Sequence, residues 1–372
     1  MIFHELIFDY TLRNVALGSA MLGIVSGFLG TIVVLKKQSL LGDAMSHAAL
    51  PGIALAFIVF GTKNMSVLLF GAGITAFIAT GLIYLTTNNS KIKFDSSLAI
   101  WLSTFFGLGL VLLTIIQRYP NAQQAGLDKF LFGQAAALTQ SDVTTMFILG
   151  TVSISIVILF WKEIKILIFD PGFGTSLGLR LRVMETVVIT LIIVAILIGL
   201  QTVGVVLMSS MLIAPAVAAR QWTDRFSTMV ILSAIFGIVA GISGSVFSSK
   251  IAKMPTGPAI IVSISFIVLL SVLFSHKYGL ITQYFIERRN NRSIKLNRIL
   301  EGLLNLSVNH DDPYHPHSIN VLKFMGYSPG AIRSGLKILN QKGLVVHHGK
   351  EEWALTEEGY KEIENNIKRL IS

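Results

Sequence analysis

The sequence predicts an all-α polytopic membrane protein of eight or nine transmembrane helices, followed by a small cytoplasmic α+β domain. Three observations predict it. Of 372 residues, 53% are hydrophobic and 13% carry a formal charge, about half the charged share of roughly 25% usual in soluble domains. The charges are also uneven, with 27 in the first 277 residues and 23 in the last 95, so a charge-poor body precedes a charged tail. Apolar runs recur through the body, each long enough to cross about 30 Å of hydrocarbon. The absence of cysteine excludes a disulfide framework and Cys-ligated metal. A net charge of +10 is compatible with nucleic acid, but positive-inside bias and anionic lipid head groups explain it more simply.

Taken in order, the first run is Leu12 to Leu35, uncharged between Arg13 and Lys36. The segment before it lacks the basic stretch and cleavage site of a signal peptide and is read as part of the mature chain. Further runs follow at Leu41 to Phe60, Met65 to Thr86, Ser97 to Ile116, Val143 to Trp161, Val183 to Leu200, Val203 to Ala219, Ser227 to Phe247 and Pro258 to Phe274. The second holds Asp43 and His47, and the two runs beside Gln201 can join into one bent segment, which gives eight spans instead of nine. With nine spans and a cytoplasmic C-terminus, eleven Lys and Arg fall in inside loops against six outside. That asymmetry sets the orientation. Small residues recur four apart at Gly23 and Gly27 and at Gly237 and Gly241, and cluster at Gly71-Ala72-Gly73. Such spacing lets backbones approach closely, within one bundle or between subunits.

After a membrane domain of residues 1–280, residues 281–292 with their basic stretch Glu287 to Arg292 read as a linker, and residues 293–372 as a separate domain. Ile294, Leu296, Ile299, Leu300, Leu303 and Leu304 share one face of a helix over Ile294 to Leu306. A second helix is expected at Ile319 to Met325. Ser328 as N-cap and Pro329 at the first position start a third, which Gly343 ends. Leu344 to Val346 and Glu352 to Leu355 predict a hairpin, and Thr356 caps a last helix through Leu370. Helices, hairpin and helix in this order form the pattern of a winged helix-turn-helix.

Ionisable groups inside a membrane are costly and therefore informative. Asp43 and His47, four apart, project from one helix face about one turn from each other. A carboxylate with an imidazole suits Mn²⁺, Fe²⁺ or Zn²⁺ better than Mg²⁺ or Ca²⁺, which prefer all-oxygen shells. Two ligands hold an ion weakly, as a pathway requires; the competing reading is an Asp–His pair that only tethers helices. Glu185, near Arg180 and Arg182, reads as an interfacial ion pair, and Met208 and Met211 as packing. His310, His315 and His317 lie with Asp311 and Asp312 within eight residues, a loop that either holds metal or is merely solvated. Between Trp161 and Arg182, Asp170 as N-cap and Pro171 at the first turn start a short helix. It reads as a docking element or as a plain interfacial helix. No G-x-x-x-x-G-K-[ST] loop occurs, so any ATP-driven process through such a loop needs another polypeptide.

Three segments of this sequence resemble the permease subunits of ATP-binding-cassette importers for manganese, zinc and iron. They are Leu35 to Gly52, with its core Leu-Leu-Gly-Asp-Ala-Met-Ser-His-Ala-Ala-Leu-Pro-Gly; Phe169 to Gly178; and Leu212 to Arg220. The resemblance implies a type II importer permease of the vitamin-B12-importer kind in the cell membrane, paired with a second permease copy or paralogue. It implies a separate ATPase subunit and an extracellular metal-binding lipoprotein or periplasmic protein as partners. Asp43 and His47 would line the path of the transported divalent metal, with no covalently bound cofactor. Asp170, Pro171, Phe173, Gly174, Leu177 and Gly178 would form the coupling helix that sits in a groove of the ATPase. The chain is then not itself an enzyme.

The tail resembles the winged-helix domain of metal-dependent repressors of the diphtheria-toxin-repressor type, without a clear match to their metal ligands. Its 13 basic residues against 10 acidic are thin for phosphate contacts. DNA is therefore not expected as a partner despite Arg333, Lys337 and Lys342 on or beside the recognition helix, and a regulatory or packing role is. The rival reading is a membrane-anchored metal-responsive transcription regulator, which has no need of the Asp170-Pro171 stretch. A secondary transporter ranks last, because only one charged, broken segment is present.

Overall fold

A computed structural model describes residues 9–62, 64–118, 133, 135, 138–251, 254–307, 314–324, 329–349 and 351–371. The chain divides into two compact units, Met1–Leu280 and Ile281–Ser372. The described part of the first contains, in chain order, α1 (Tyr10–Leu35), α2 (Ser39–Phe60), α3 (Met65–Asn89), α4 (Phe94–Gln117) and α5 (Gln140–Leu159). Two short helices follow, α6 (Trp161–Phe169) and α7 (Pro171–Ser176), and then α8 (Leu181–Thr202), α9 (Val205–Trp222), α10 (Phe226–Lys250) and α11 (Thr256–Phe274). Among the described residues, the nine long helices are each long and apolar enough to cross a membrane. The break near Gln201 is real. Gly204, at φ +86°, stands as N-cap of α9 in a conformation that residues with a Cβ rarely adopt, so α8 and α9 are two helices of 22 and 18 residues. The fifth span stops at Leu159, and Trp161 begins α6 instead of ending α5.

The most deeply buried of the nine is α1, and its closest partner is α10. A Cβ on Gly23 would collide with the backbone of Gly237, one on Gly27 with Ser233 and Ala234, and one on Gly241 with Ser19. The two glycine pairs therefore face each other inside one chain, where small residues permit backbone contact that hydrocarbon alone would not drive. Ser245 Oγ donates across the same seam to Ser19 Oγ at 3.3 Å. A second close approach joins α2 and α3, where Gly52 and Gly71 abut. The outer faces carry exposed apolar side chains such as Phe70, Ile74 and Ile78 on α3 and Ile100, Leu108 and Val111 on α4, as expected of a surface solvated by lipid.

Residues 281–292, which follow the boundary between the units, are helical, within α12 (Leu280–Ser307). It is followed by β1 (His317–Ser318), α13 (Ile319–Phe324), α14 (Pro329–Gln341), β2 (Val345–His348), β3 (Glu352–Leu355) and α15 (Glu357–Ile371). The three strands form one antiparallel sheet in the order β1-β3-β2, with His317 opposite Trp353 and Val345 opposite Leu355. Two residues are too short a strand for periodicity to disclose, and β1 was not expected. Met325 and Ser328 lie outside the described residues. Leu296, Ile299, Leu300 and Leu303 of α12 pack on Ile332, Leu336 and Leu339 of α14. Thr356 caps α15, accepting from the Gly359 N–H at 3.1 Å while donating to the Gly343 carbonyl at 2.6 Å.

The glycine seam gives two opposed expectations. Gly237→Leu forces α1 and α10 apart and should destabilise the purified protein by about 1–3 kcal/mol or more. Gly81→Ala, where a Cβ meets nothing within 4 Å, should leave stability unchanged or raise it by up to about 1 kcal/mol. Thermal unfolding in detergent distinguishes the two.

Candidate metal-ion site

The site begins with a tight elbow. After α1 ends at Leu35, the N–H groups of Lys36, Lys37 and Gln38 bond back to Ile32, Val34 and Val33 at 2.9, 3.1 and 3.0 Å. Lys37 takes a left-handed φ of 57°, and α2 starts two residues later. Asp43 and His47 fall on its second and third turns. His47 Nε2 lies 3.4 Å from Asp43 Oδ1, with the His47 side chain 13% exposed and that of Asp43 32%. A charge-assisted bond runs about 2.7–2.9 Å, so neither group is saturated by the other. His47 Nδ1 is buried without a hydrogen-bond partner.

Other helices complete the surroundings. The His47 ring meets Phe106 of α4 edge to face at a centroid distance of 4.6 Å, and Ser209 of α9 lies beside the Asp43 carboxylate. Pro51 lies inside α2 and is packed upon by α4 at Gly109. Having no N–H, it offers nothing to the carbonyl of His47 four residues back. Behind α2, Thr80 of α3 donates to the Met45 sulfur at 2.7 Å and holds the helix from the far side. Phe106 and Ser209 escaped the sequence reading because they come from distant segments, and nothing in local spacing points to them. Met208 and Met211 are fully buried, and Met208 packs against Gly199, so they serve packing.

Glu185 pairs with neither nearby arginine. Its Oε1 lies 2.6 Å from Lys36 Nζ and accepts from the Tyr84 hydroxyl at 3.2 Å. Among the described residues, no three His, Asp or Glu side chains converge as a metal cluster.

The stretch between α5 and α8 has its own construction. The Asp170 side chain accepts from the Phe173 N–H at 2.9 Å, and Pro171 stands at the first turn of α7. Gly178, at φ +75°, ends the turn, with the Leu179 N–H reaching back to the Gly174 carbonyl at 3.1 Å. Gly174 is buried against Ile166 and Leu181, whereas Phe169, Phe173 and Leu177 are all more than half exposed. Three large apolar side chains thus stand exposed on one short stretch of surface. In the tail, His310 lies outside the described residues. His315 and His317 meet edge to face at 5.4 Å, and His317 is a buried strand residue. Arg333 is tied to Glu351 at 3.4 Å.

The caps of α7 carry a direct expectation. Asp170→Ala removes the N-cap bond at about 1 kcal/mol, and Gly178→Ala imposes a left-handed alanine at roughly the same cost. Both should speed amide hydrogen exchange across residues 171–179, with little change in the long helices. Hydrogen-exchange mass spectrometry reads this directly.

With this geometry in view, the chain was compared with known proteins. The family described as the ABC 3 transport family matches residues 8–275. The zinc transport system membrane protein TroC of Treponema pallidum is 44% identical over 281 residues, covering 76% of this chain and 94% of that protein. The manganese transport system membrane protein MntC of Bacillus subtilis is 39% identical over 348 residues, covering 92% of this chain and 78% of that protein; the match therefore continues into the tail. The solved structure of PsaBC from Streptococcus pneumoniae in complex with Fab superposes with a TM-score of 0.66 at 27% identity, covering 74% of this chain and 96% of that one. Nine apolar helices among the described residues, a matched family spanning most of the first unit and relatives aligned over 78% and 94% of their own length agree, and the chain belongs to the ABC 3 transport family.

Proposed function

We propose that this chain is the membrane permease of an ATP-driven importer that brings a divalent transition metal, manganese foremost or zinc, into the cytoplasm. The observation that carries the reading is the Asp43–His47 pair, set 3.4 Å apart on a proline-containing helix inside the bundle. A hard carboxylate oxygen and a borderline imidazole nitrogen fit Mn²⁺, Fe²⁺ and Zn²⁺ alike. Relatives named for zinc and for manganese support the same cargo class. Asp43 and His47 hold the passing ion, and Phe106 fixes the imidazole ring from the side. Two protein ligands bind loosely enough for release. The open side of Asp43 faces a second permease copy or paralogue, which completes the path.

ATP is bound and hydrolysed by a separate subunit, seated on the face formed by Asp170 to Gly178 with Phe173 and Leu177 as its apolar anchors. An extracellular metal-binding protein delivers the ion, and the chain itself is not an enzyme. The tail is a cytoplasmic winged-helix domain of the diphtheria-toxin-repressor type. Helix, helix, hairpin and helix around a three-stranded sheet support that reading, and so does the hydrophobic seam between α12 and α14. Its role is regulation or packing, since one recognition-helix cation is already paired with Glu351. A membrane-anchored regulator has no use for the exposed docking face.

Asp43→Ala with His47→Ala should lower ATP-dependent Mn²⁺ or Zn²⁺ uptake in proteoliposomes by more than about 100-fold, beyond the cost of losing an outer-sphere partner. The ATPase should still co-purify. Undiminished uptake would sink the assignment.

A further inference from the structure

The clasp at Glu185 is not part of the Asp43–His47 site, yet it touches both ends of the machinery. Lys36 Nζ and the Tyr84 hydroxyl converge on one oxygen, Glu185 Oε1, at 2.6 and 3.2 Å. That single carboxylate gathers the end of α1, the last third of α3 and the second turn of α8. The Lys36 and Glu185 side chains are 13% and 30% exposed. The other ion pairs described in the first unit, apart from Asp43–His47, are those of Asp224 with Arg220 and Lys277, whose side chains are all at least 38% exposed. Ion pairs sheltered from water are stiffer and less screened than exposed ones.

On one side of the clasp, α7 rests on α8, because Gly174 is packed directly against Leu181, one turn before Glu185. On the other, Lys36 opens the hydrogen-bonded elbow that leads into α2, and Asp43 lies two turns further on. We propose that Lys36 and Glu185, oriented by Tyr84, are positioning residues. Their ion pair is the strut through which displacement of the Asp170–Gly178 stretch moves α2 and resets the geometry of Asp43 and His47. The proposal rests on the importer reading above.

A cavity of about 690 Å³ beside the clasp is lined by Lys36, Thr80, Tyr84, Pro171, Arg182 and Glu185, among others. It reaches from the first residue of α7 to the elbow and gives the start of α8 room to move. It is not a branch of the ion path. Thr80 on its wall bonds Met45, which at 100° per residue faces about 200° around α2 from Asp43. The ammonium of Lys36 would also repel a cation there. A contiguous chain of packed and ion-paired groups is the physical form that coupling between separated sites takes.

The test uses the full permease with its ATPase and binding protein in proteoliposomes, with Mn²⁺ and Zn²⁺ each supplied alone and uptake and ATP hydrolysis measured together. Lys36→Met and Glu185→Gln should each keep the ATPase bound and active while lowering metal moved per ATP about tenfold. Exchanging the charges, Lys36→Glu with Glu185→Lys, should restore most of it. Should the single variants fail to fold, the apolar pair Lys36→Met with Glu185→Leu, which replaces both charges together, should fold and be equally uncoupled.

Wild-type metal per ATP in the single variants or in the apolar pair overturns the strut. So does an exchanged pair no better than the singles, or a loss of uptake that only tracks a loss of ATPase binding or thermal stability. A wild-type complex without ATP-driven uptake overturns the importer reading as well, whereas a transporting wild type with unaffected variants overturns the strut alone.

Discussion

Inside hydrocarbon a backbone N–H or C=O has no water to turn to, so each membrane segment must satisfy its own polar groups. The rest of this structure follows from that constraint. It makes the first unit a set of helices, and breaks in the buried backbone are closed by local bonds or covered by other protein. The elbow at Lys36–Gln38 closes on its own backbone bonds, Gly204 turns the chain between two buried segments, and Pro51 is packed upon by Gly109 of α4. With no hydrophobic drive to press helices together in lipid, contact has to come from shape. The glycine seam between α1 and α10 supplies it, and α2 hangs from that seam by three residues.

The same constraint bears on the Asp43–His47 pair proposed above as the ion site. A proline inside a spanning helix leaves one carbonyl without its ordinary donor, and such a carbonyl is tolerated only within a protein-lined interior. Here that carbonyl belongs to His47, whose ring nitrogen faces a carboxylate one turn away. The cost of taking Asp43 and His47 out of water and the cost of the missing backbone bond therefore fall at one place.

What the sequence disclosed was local. Apolar runs, the four-residue spacing of Asp43 and His47, the Asp170-Pro171 cap and the Gly343 stop each depend on neighbours within a turn or two, and each lies where spacing put it. What it concealed was set by contact across the bundle. Glu185 has Arg182 one turn away in sequence, yet its partner is Lys36, 149 positions distant. Phe106 and Ser209 reach the site from α4 and α9 for the same reason. The helix over residues 281–292 lies behind a basic stretch that draws the eye to charge, yet no Gly or Pro interrupts 281–301, and Arg, Glu, Gln and Leu are all ordinary helix formers.

Phe169, Phe173 and Leu177, exposed on a short capped turn, have a consequence for how much of this protein a cell can keep. On the importer reading proposed above, a copy made before its ATPase subunit would carry an exposed apolar knuckle of the kind that chaperones and proteases engage. Covering it removes the mark. On that reading the turn would tie the lifetime of each copy to finding its complex, and surplus copies would be the ones degraded.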